Sequence, residues 1–255
     1  MEQHTCCGEL EHKENCIICG KPLQYFTNME RRICSICGKE KQADAACIAG
    51  HFVCDECHGA GGVSIIDALL HSKEKDPVAL YLQICGRKQV HLHGPEHHSI
   101  VPCVLLTAYR NCGGTVDLPK ALNEAWNRGK KVSGGSCGFL GVCGAAVGAG
   151  IFSSILTGAT PLTGDIWAIP QRLTMACLAR ITEVGGPRCC KRTGRMAIEA
   201  AAQFAEERFG VRMPCSKPAC TYSSQNKECL QAHCPYFKGK QSVRRRHVIL
   251  KQEGA

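Results

Sequence analysis

Apolar residues recur at helical spacing through most of the chain after residue 60. Asp76 followed by Pro77 is typical of a helix start, and the predicted helix PVALYLQIC ends at Gly86. A second helix is predicted to begin at Leu118 and to end at Gly129 in the same way. These segments indicate a helical region.

Two longer helices are predicted further along the chain. Residues 165–182 show apolar positions at helical spacing, and residues 191–209 place an alanine-rich apolar stripe before Gly210. Alternating strand patterns are nearly absent after residue 60. We therefore predict a mainly α protein, with a small treble-clef or zinc-ribbon-like module at residues 1–60, an α-helical bundle domain at 61–238 and a basic tail at 239–255.

The stretch 132–164 carries no charged residue and is long enough to be tested as a membrane span. Gly144 and Gly148 would suit close helix packing in a bilayer. However, the central part contains six glycines and no aromatic belt flanks it. A close-packed helix inside a soluble bundle explains the same small residues, and we do not expect a span.

The high cysteine content is the feature of the composition that most strongly indicates a function. The 255 residues include 21 cysteines, whereas aromatic residues make up only 5%, so the core must rest on Leu, Ile, Val and Ala. Disulfide-dense domains are short and secreted, but this chain is long and its start lacks the apolar segment of a signal peptide. We therefore predict a cytoplasmic protein that uses cysteine for metal binding or redox chemistry.

The formal net charge is +9, but thiolates around bound metal would lower it. Much of the excess lies in residues 238–251, which contain Arg244, Arg245 and Arg246. Such a run could contact RNA or an acidic partner, or it could be a solvated tail.

The N-terminal cysteines have the spacing of zinc ligands. Pairs separated by two residues direct two thiolates to one side, and four ligands complete the tetrahedral shell that zinc accepts. The eight predicted ligands, enough for two zinc ions, are Cys16, Cys19, Cys34, Cys37, Cys47, His51, Cys54 and Cys57. A helix predicted after Cys57 favours a treble-clef site of Cys34, Cys37, Cys54 and Cys57 with the other four in a crossed site. The sequential alternative joins the first four cysteines in a zinc ribbon.

A second set of reactive side chains follows in the helical region. Residues 91–98 contain four histidines and one glutamate, so His97 and His98 are candidates for metal binding or acid–base chemistry, or are ordinary surface histidines. Cys189 and Cys190 lie at a predicted helix start among cations, which would lower a thiol pKa.

Six further cysteines are candidate ligands of a cofactor. Glycines beside two of them let a backbone approach closely, which suits a cluster, a flat ligand or mere helix packing. The other four have a spacing that is loose for a zinc knuckle but tolerated by an iron–sulfur cluster, and a zinc-stabilised cap is the alternative. The six residues are Cys137, Cys143, Cys215, Cys220, Cys229 and Cys234.

Several motifs resemble known families. HGPEHHSIVP, CGFLGVCGAAVGAGIF and GGPRCCKR are similar to the uncharacterised prokaryotic family of the domain of unknown function 5714, some members of which are labelled methyltransferases. More faintly, CVLLTAYRNCGG, GVCGAAVGAGIF and QFAEERFGVRMPC resemble the C-GCAxxG-C-C family of redox-active helical proteins. That resemblance implies ligand roles for Cys103, Cys143 and Cys215, although the GCA triplet is replaced at Cys103.

These observations predict a metalloprotein with structural zinc and a helical domain that binds an iron–sulfur cluster or redox thiols for electron or sulfur transfer. Cys189, Cys190, His97 and His98 are the candidate catalytic residues, and the partner would be an unknown protein or redox partner. A non-catalytic zinc adaptor is the competing hypothesis. A methyltransferase-associated role is the third, although the glycine-rich adenosylmethionine fingerprint is missing.

Overall fold

The N-terminal module is a two-stranded antiparallel hairpin followed by one helical turn. In this computed structural model, residues 16–58, 62–87 and 89–239 are described, and the arginines of the predicted tail lie outside these ranges. Strand β1 (Leu23–Ile33) pairs with β2 (Glu40–Cys47), and α1 (Asp55–His58) follows. The hairpin is the only sheet within the described residues.

The rest of the described chain is helical, as the sequence predicts. Asp76 accepts hydrogen bonds from the backbone N–H groups of Val78 and Ala79, which confirms the predicted helix start. Gly210 ends the last long helix with a φ of 67°, a conformation that favours glycine. The helices are α2 (Gly62–His71), α3 (Pro77–Cys85), α4 (Glu96–Asn111), α5 (Leu118–Gly129), α6 (Ser136–Phe139), α7 (Gly144–Thr157), α8 (Ala168–Val184) and α9 (Cys190–Phe209).

Helix α4 lies at the centre of the bundle. It packs against α3, α5, α7 and α9, while α8 covers α7 and α9. Its side chains from Ser99 to Ala108 are almost completely buried. Because α4 is covered on several sides, the apolar residues surround it instead of forming one stripe.

The uncharged stretch does not form one long apolar helix. It is divided among α6, α7 and the connections around them, and α7 packs its small residues against α4 and α8. No helix in the described parts of the chain has the length and apolar character needed to cross a membrane.

Candidate functional site

The eight predicted zinc ligands come together in two groups of four. Within each group the ligand atoms lie within 4.8 Å of one another. One group contains Cys16, Cys19, Cys47 and His51, and the other contains Cys34, Cys37, Cys54 and Cys57. The crossed grouping is therefore the one that the fold brings about.

The hairpin explains why the ligand pairs cross. Antiparallel pairing places Leu23 opposite Cys47, so the chain before β1 lies beside the chain after β2. The Cys34 pair lies at the turn, where the returning chain reaches it through a hydrogen bond from the Ser35 N–H to the Phe52 carbonyl, 2.7 Å. Because neighbouring strands run in opposite directions, the ends of the hairpin form one site and its turn forms the other.

The donor chemistry of both groups fits a divalent cation. A hydrogen bond from the Lys21 backbone lowers the pKa of Cys19 to about 6. In the other group, burial and the neighbouring thiols raise the pKa of Cys57 to about 12. Four thiols this close cannot all ionise beside each other, whereas a bound zinc ion would neutralise them. The two groups could therefore hold metal ions.

A different set of thiols surrounds a cavity of about 230 Å³ in the helical domain. Three come from the predicted C-terminal cluster, namely Cys220, Cys229 and Cys234, and the fourth is Cys189 at the start of α9. Among the described residues, these four are not a group whose ligand atoms all lie within 4.8 Å. The four thiols share one cavity wall, but they are not as compact a group as the two N-terminal sets.

Cys215 does not join this cavity. Its side chain packs against the hydrophobic core near Cys112 and Asp76, and burial raises its pKa to about 12.

Asn226 links Cys189 to the loop that follows α3. Its side-chain N–H donates to the Cys189 sulfur over 3.6 Å, and His93 Nε2 lies 3.3 Å from its amide oxygen.

The wall of this cavity carries buried positive charge. Lys191, Arg192 and Arg195 are each at most 3% exposed and all three line the cavity. The Arg192 guanidinium donates to the carbonyl oxygens of Gly185 and Pro187, both at 2.7 Å. Arg195 differs, because its three guanidinium nitrogens have no hydrogen-bond partner within the described residues. A buried cation of this kind requires compensation by negative charge.

A second cavity, of about 490 Å³, lies on the other side of Cys189. Cys137, Cys143 and Cys190 line it, together with His98. Cys189 belongs to the walls of both cavities. The fold therefore places three further predicted cysteines next to the first cavity.

The cations and the helix terminus at the start of α9 do not lower the pKa of its two thiols. Burial raises the pKa of Cys189, and it raises that of Cys190 to about 12 despite the nearby arginines. The prediction of a lowered pKa was therefore wrong. Desolvation of these thiols outweighs the helix terminus and the cations.

The two candidate catalytic histidines have different surroundings. His97 is 1% exposed, and burial lowers its pKa to about 3. The Tyr81 hydroxyl lies 2.9 Å from its Nδ1, and its Nε2 lies 3.0 Å from the His91 carbonyl oxygen. His98 faces the larger cavity, and its Nδ1 donates to the Val132 carbonyl oxygen over 2.9 Å. Both rings lie in the wall of the larger cavity, but both nitrogens of His97 have protein partners, so His98 has the better position for chemistry.

The profile of one family of unknown function, DUF5714, matches residues 65–237, more than half of the chain. The chain belongs to this family. No curated protein and no solved structure gives a significant match. The similarity to the C-GCAxxG-C-C family stays a prediction.

The DUF5714 match separates the two kinds of cysteine site. It begins within α2, after both N-terminal groups of ligands, and it includes every cysteine that lines the two cavities. The cavities therefore lie in the part of the chain that defines the family, whereas the zinc-type groups precede it.

Proposed function

We propose that this protein is a metalloprotein whose N-terminal module holds two structural zinc ions and whose helical domain holds an iron–sulfur cluster for electron or sulfur transfer. The cluster ligands would be Cys189, Cys220, Cys229 and Cys234. The observation that carries the proposal is the convergence of these four thiols on one cavity with a buried cationic wall. This ligand set leaves out Cys137, Cys143 and Cys215 of the sequence prediction and adds Cys189.

The spacing of the thiols favours a cluster over a zinc ion. In a tetrahedral zinc site each Zn–S bond is about 2.3 Å long, so the four sulfur atoms lie close to one another. The four thiols here surround a space of about 230 Å³ and do not form such a compact group. Iron–sulfur clusters are larger and are held by four cysteine thiolates.

The cationic wall supports the same choice. Four thiolates on a cluster form an anionic group, and Arg195 supplies a buried guanidinium that lacks a hydrogen-bond partner among the described residues. The Lys191 ammonium lies 5.1 Å from the centre of the Tyr222 ring, another residue of the cavity wall. Buried cations next to a cluster favour its more negative, reduced form, so they would raise its reduction potential.

The second cavity is the proposed place of exchange with a substrate. Its volume of about 490 Å³ is within the usual range for small-molecule sites. Cys189 would connect it to the cluster, which when bound supplies an electron, and the thiols of Cys143 and Cys190 would face the substrate. His98, neutral because burial lowers its pKa, keeps its Nδ1–H on Val132 and leaves Nε2 as the basic nitrogen.

Metal and sulfide analysis after anaerobic purification tests this function. We expect iron and acid-labile sulfide with a visible absorption band in the wild-type protein. Both should be lost in Cys189→Ser and Cys220→Ser, whereas Cys215→Ser should keep both because Cys215 lies outside the cavity. Zinc alone in the wild-type protein would overturn the proposal, and loss of iron in Cys215→Ser but not in Cys189→Ser would overturn the ligand set.

An observation on the zinc module favours a second candidate, a non-catalytic adaptor. Several large apolar side chains of the module are more than half exposed: Met29, Ile33, Ile36 and Ile48. Where such side chains form one contiguous patch, they mark a partner-binding surface. An adaptor would contain zinc without iron, so the metal analysis also distinguishes the two functions. The methyltransferase-associated role stays a prediction without a supporting observation.

A further inference from the structure

A third cluster of metal-binding side chains lies where the zinc module meets the helical domain. It consists of His58, the last residue of α1, His91 in the loop after α3, and Glu96, the first residue of α4. Their ligand atoms all lie within 4.8 Å of one another. Three sequence-distant segments therefore bring two imidazoles and one carboxylate to one point.

The Glu96 carboxylate is buried, and only one of its two oxygens accepts a hydrogen bond from the described residues. Glu96 is 4% exposed, and its Oε1 accepts a hydrogen bond from the His91 backbone N–H, 2.8 Å. Among the described residues its other oxygen, Oε2, has no hydrogen-bond partner, and neither has Nδ1 of His58, which lies 3.8 Å away. A buried carboxylate oxygen without a partner is costly, so this pair of atoms requires a further group.

Within residues 16–58, 62–87 and 89–239, no lysine or arginine forms an ion pair with Glu96. Among the described residues its ion-pair partners are the two histidines, and the nearby Lys191 ammonium donates to the carbonyl oxygen of His91, 2.9 Å. Gly94 keeps space for the carboxylate, because a Cβ there would clash with it. The described part of the chain therefore leaves room for the Glu96 carboxylate and supplies it no lysine or arginine partner.

We infer that His58, His91 and Glu96 form a third metal site, which binds a divalent first-row transition metal ion. Imidazole and carboxylate groups are the ligands that such ions accept, and a set of three protein ligands leaves a coordination position open. A cavity of about 140 Å³ between the module and the helical domain has His58 and Gly94 in its wall, so solvent or a small ligand can approach. The ion would join α1 to α4 and so hold the zinc module in place.

The site is independent of the proposed iron–sulfur cluster. Its ligands are two nitrogens and an oxygen donor, whereas the N-terminal groups and the cluster cavity depend on thiols. Cobalt distinguishes the two kinds of site, because thiolate ligands give Co²⁺ strong near-ultraviolet charge-transfer bands that imidazole and carboxylate do not give. Failure of one proposal therefore leaves the other unaffected.

Titration of the full-length, metal-free protein with Co²⁺ under anaerobic conditions tests the inference. We expect Glu96→Gln and His91→Ala each to bind one equivalent of Co²⁺ less than the wild type, with unchanged thiolate bands. His71→Ala is the matched control, because His71 pairs with Asp67 on an exposed helix surface and should bind as much as wild type.

Two results would overturn the site. Equal cobalt binding by the wild type and both variants would show that the three side chains form only a hydrogen-bonded cluster. A loss of cobalt matched by a loss of thiolate bands would place the missing ion in one of the thiol sites instead of at these three side chains. Zinc content by elemental analysis, which should fall by one equivalent in the same two variants, provides an independent measurement.

Discussion

Arg195 is the residue whose surroundings most need a bound anion. Its guanidinium lies 3.6 Å from the centre of the Tyr236 ring, and contact with a ring face recovers only part of the hydration that burial removes. Arginine cannot lose its proton in a protein, so the charge remains. An anionic group bound in the adjacent cavity would compensate the charge of the Arg195 guanidinium.

Replacing Arg195 with methionine should therefore change stability in opposite directions in the two states of the protein. Without iron, Arg195→Met should raise the free energy of unfolding by about 1–3 kcal/mol, because it removes an uncompensated buried cation. With the cluster bound, the same variant should release iron faster than the wild type. Anaerobic urea unfolding and the rate of iron release to a chelator measure the two effects.

Arg192→Met is the control for this experiment. Its guanidinium already donates to two carbonyl oxygens, so its loss should destabilise the iron-free protein by about 1.5–3 kcal/mol. If Arg195→Met destabilised the iron-free protein to the same extent, the argument for a bound anion would fail.

The proposed cluster ligands illustrate how far residue spacing can predict a site. The sequence identifies Cys220, Cys229 and Cys234 correctly as neighbours, because they follow each other in a short segment. It assigns Cys215 to them for the same reason, although that residue turns into the core beside α3. Cys189 is distant in sequence and becomes a neighbour only because the C-terminal segment crosses the start of α9. The sequence signal that could have identified Cys189 is its position beside Cys190 at a predicted helix start.

At the scale of elements, the contact between α4 and α7 determines the larger cavity. Helix α4 carries His98 in its first turn, and α7 begins directly after Cys143. Pro102 cannot donate a hydrogen bond to the His98 carbonyl oxygen, and Gly148 of α7 packs against both. The absence of a side chain at Gly148 allows the two helices to approach this closely.

Gly148→Ala should force these helices apart. The new Cβ would lie 2.9 Å from the His98 carbonyl oxygen and 2.9 Å from Pro102 Cδ, both of which are rigid. We expect a loss of about 1–3 kcal/mol in the free energy of unfolding, measured in urea. Gly138→Ala is the control, since a Cβ there meets nothing within 4 Å, and it should not destabilise the protein. If the two variants unfolded at the same urea concentration, this account of the contact between α4 and α7 would be wrong.

The elements differ in how well the sequence predicts them, for physical reasons. Helices α3 and α5 begin at aspartates that cap them, so their starts were visible. Helix α4 begins after Pro95 without a side-chain cap, and it was hidden in a polar run of histidines. The hairpin was missed because β1 is mostly exposed and lacks an alternating pattern. Without the hairpin, the sequence left the choice between crossed and sequential zinc ligands open.

At the scale of the whole molecule, the N-terminal module (residues 16–58) covers part of the larger cavity. The Tyr25 ring of β1 lies 6.0 Å from the Phe139 ring and 5.4 Å from the Arg188 guanidinium carbon. Tyr25 also forms part of the cavity wall. The module therefore contributes a side chain to a site whose cysteines all come from the helical domain.

Removing this ring should open the cavity to reagents from solution. We expect Tyr25→Ala to increase several-fold the rate at which iodoacetamide alkylates Cys143 and Cys190. Peptide mass spectrometry measures the alkylation of each cysteine over time. Cys103 provides an internal reference, because it is fully buried between α4 and α5 and should stay unmodified.

Phe26→Ala provides the matched control for this opening, because its ring contacts Arg32 within the module and does not line the cavity. Its alkylation rates should equal those of the wild type. If Tyr25→Ala also left them unchanged, the module would not control access, and its zinc ions would stabilise only the module itself. Faster alkylation in Tyr25→Ala alone would instead make the zinc module a cover for the thiol cavity.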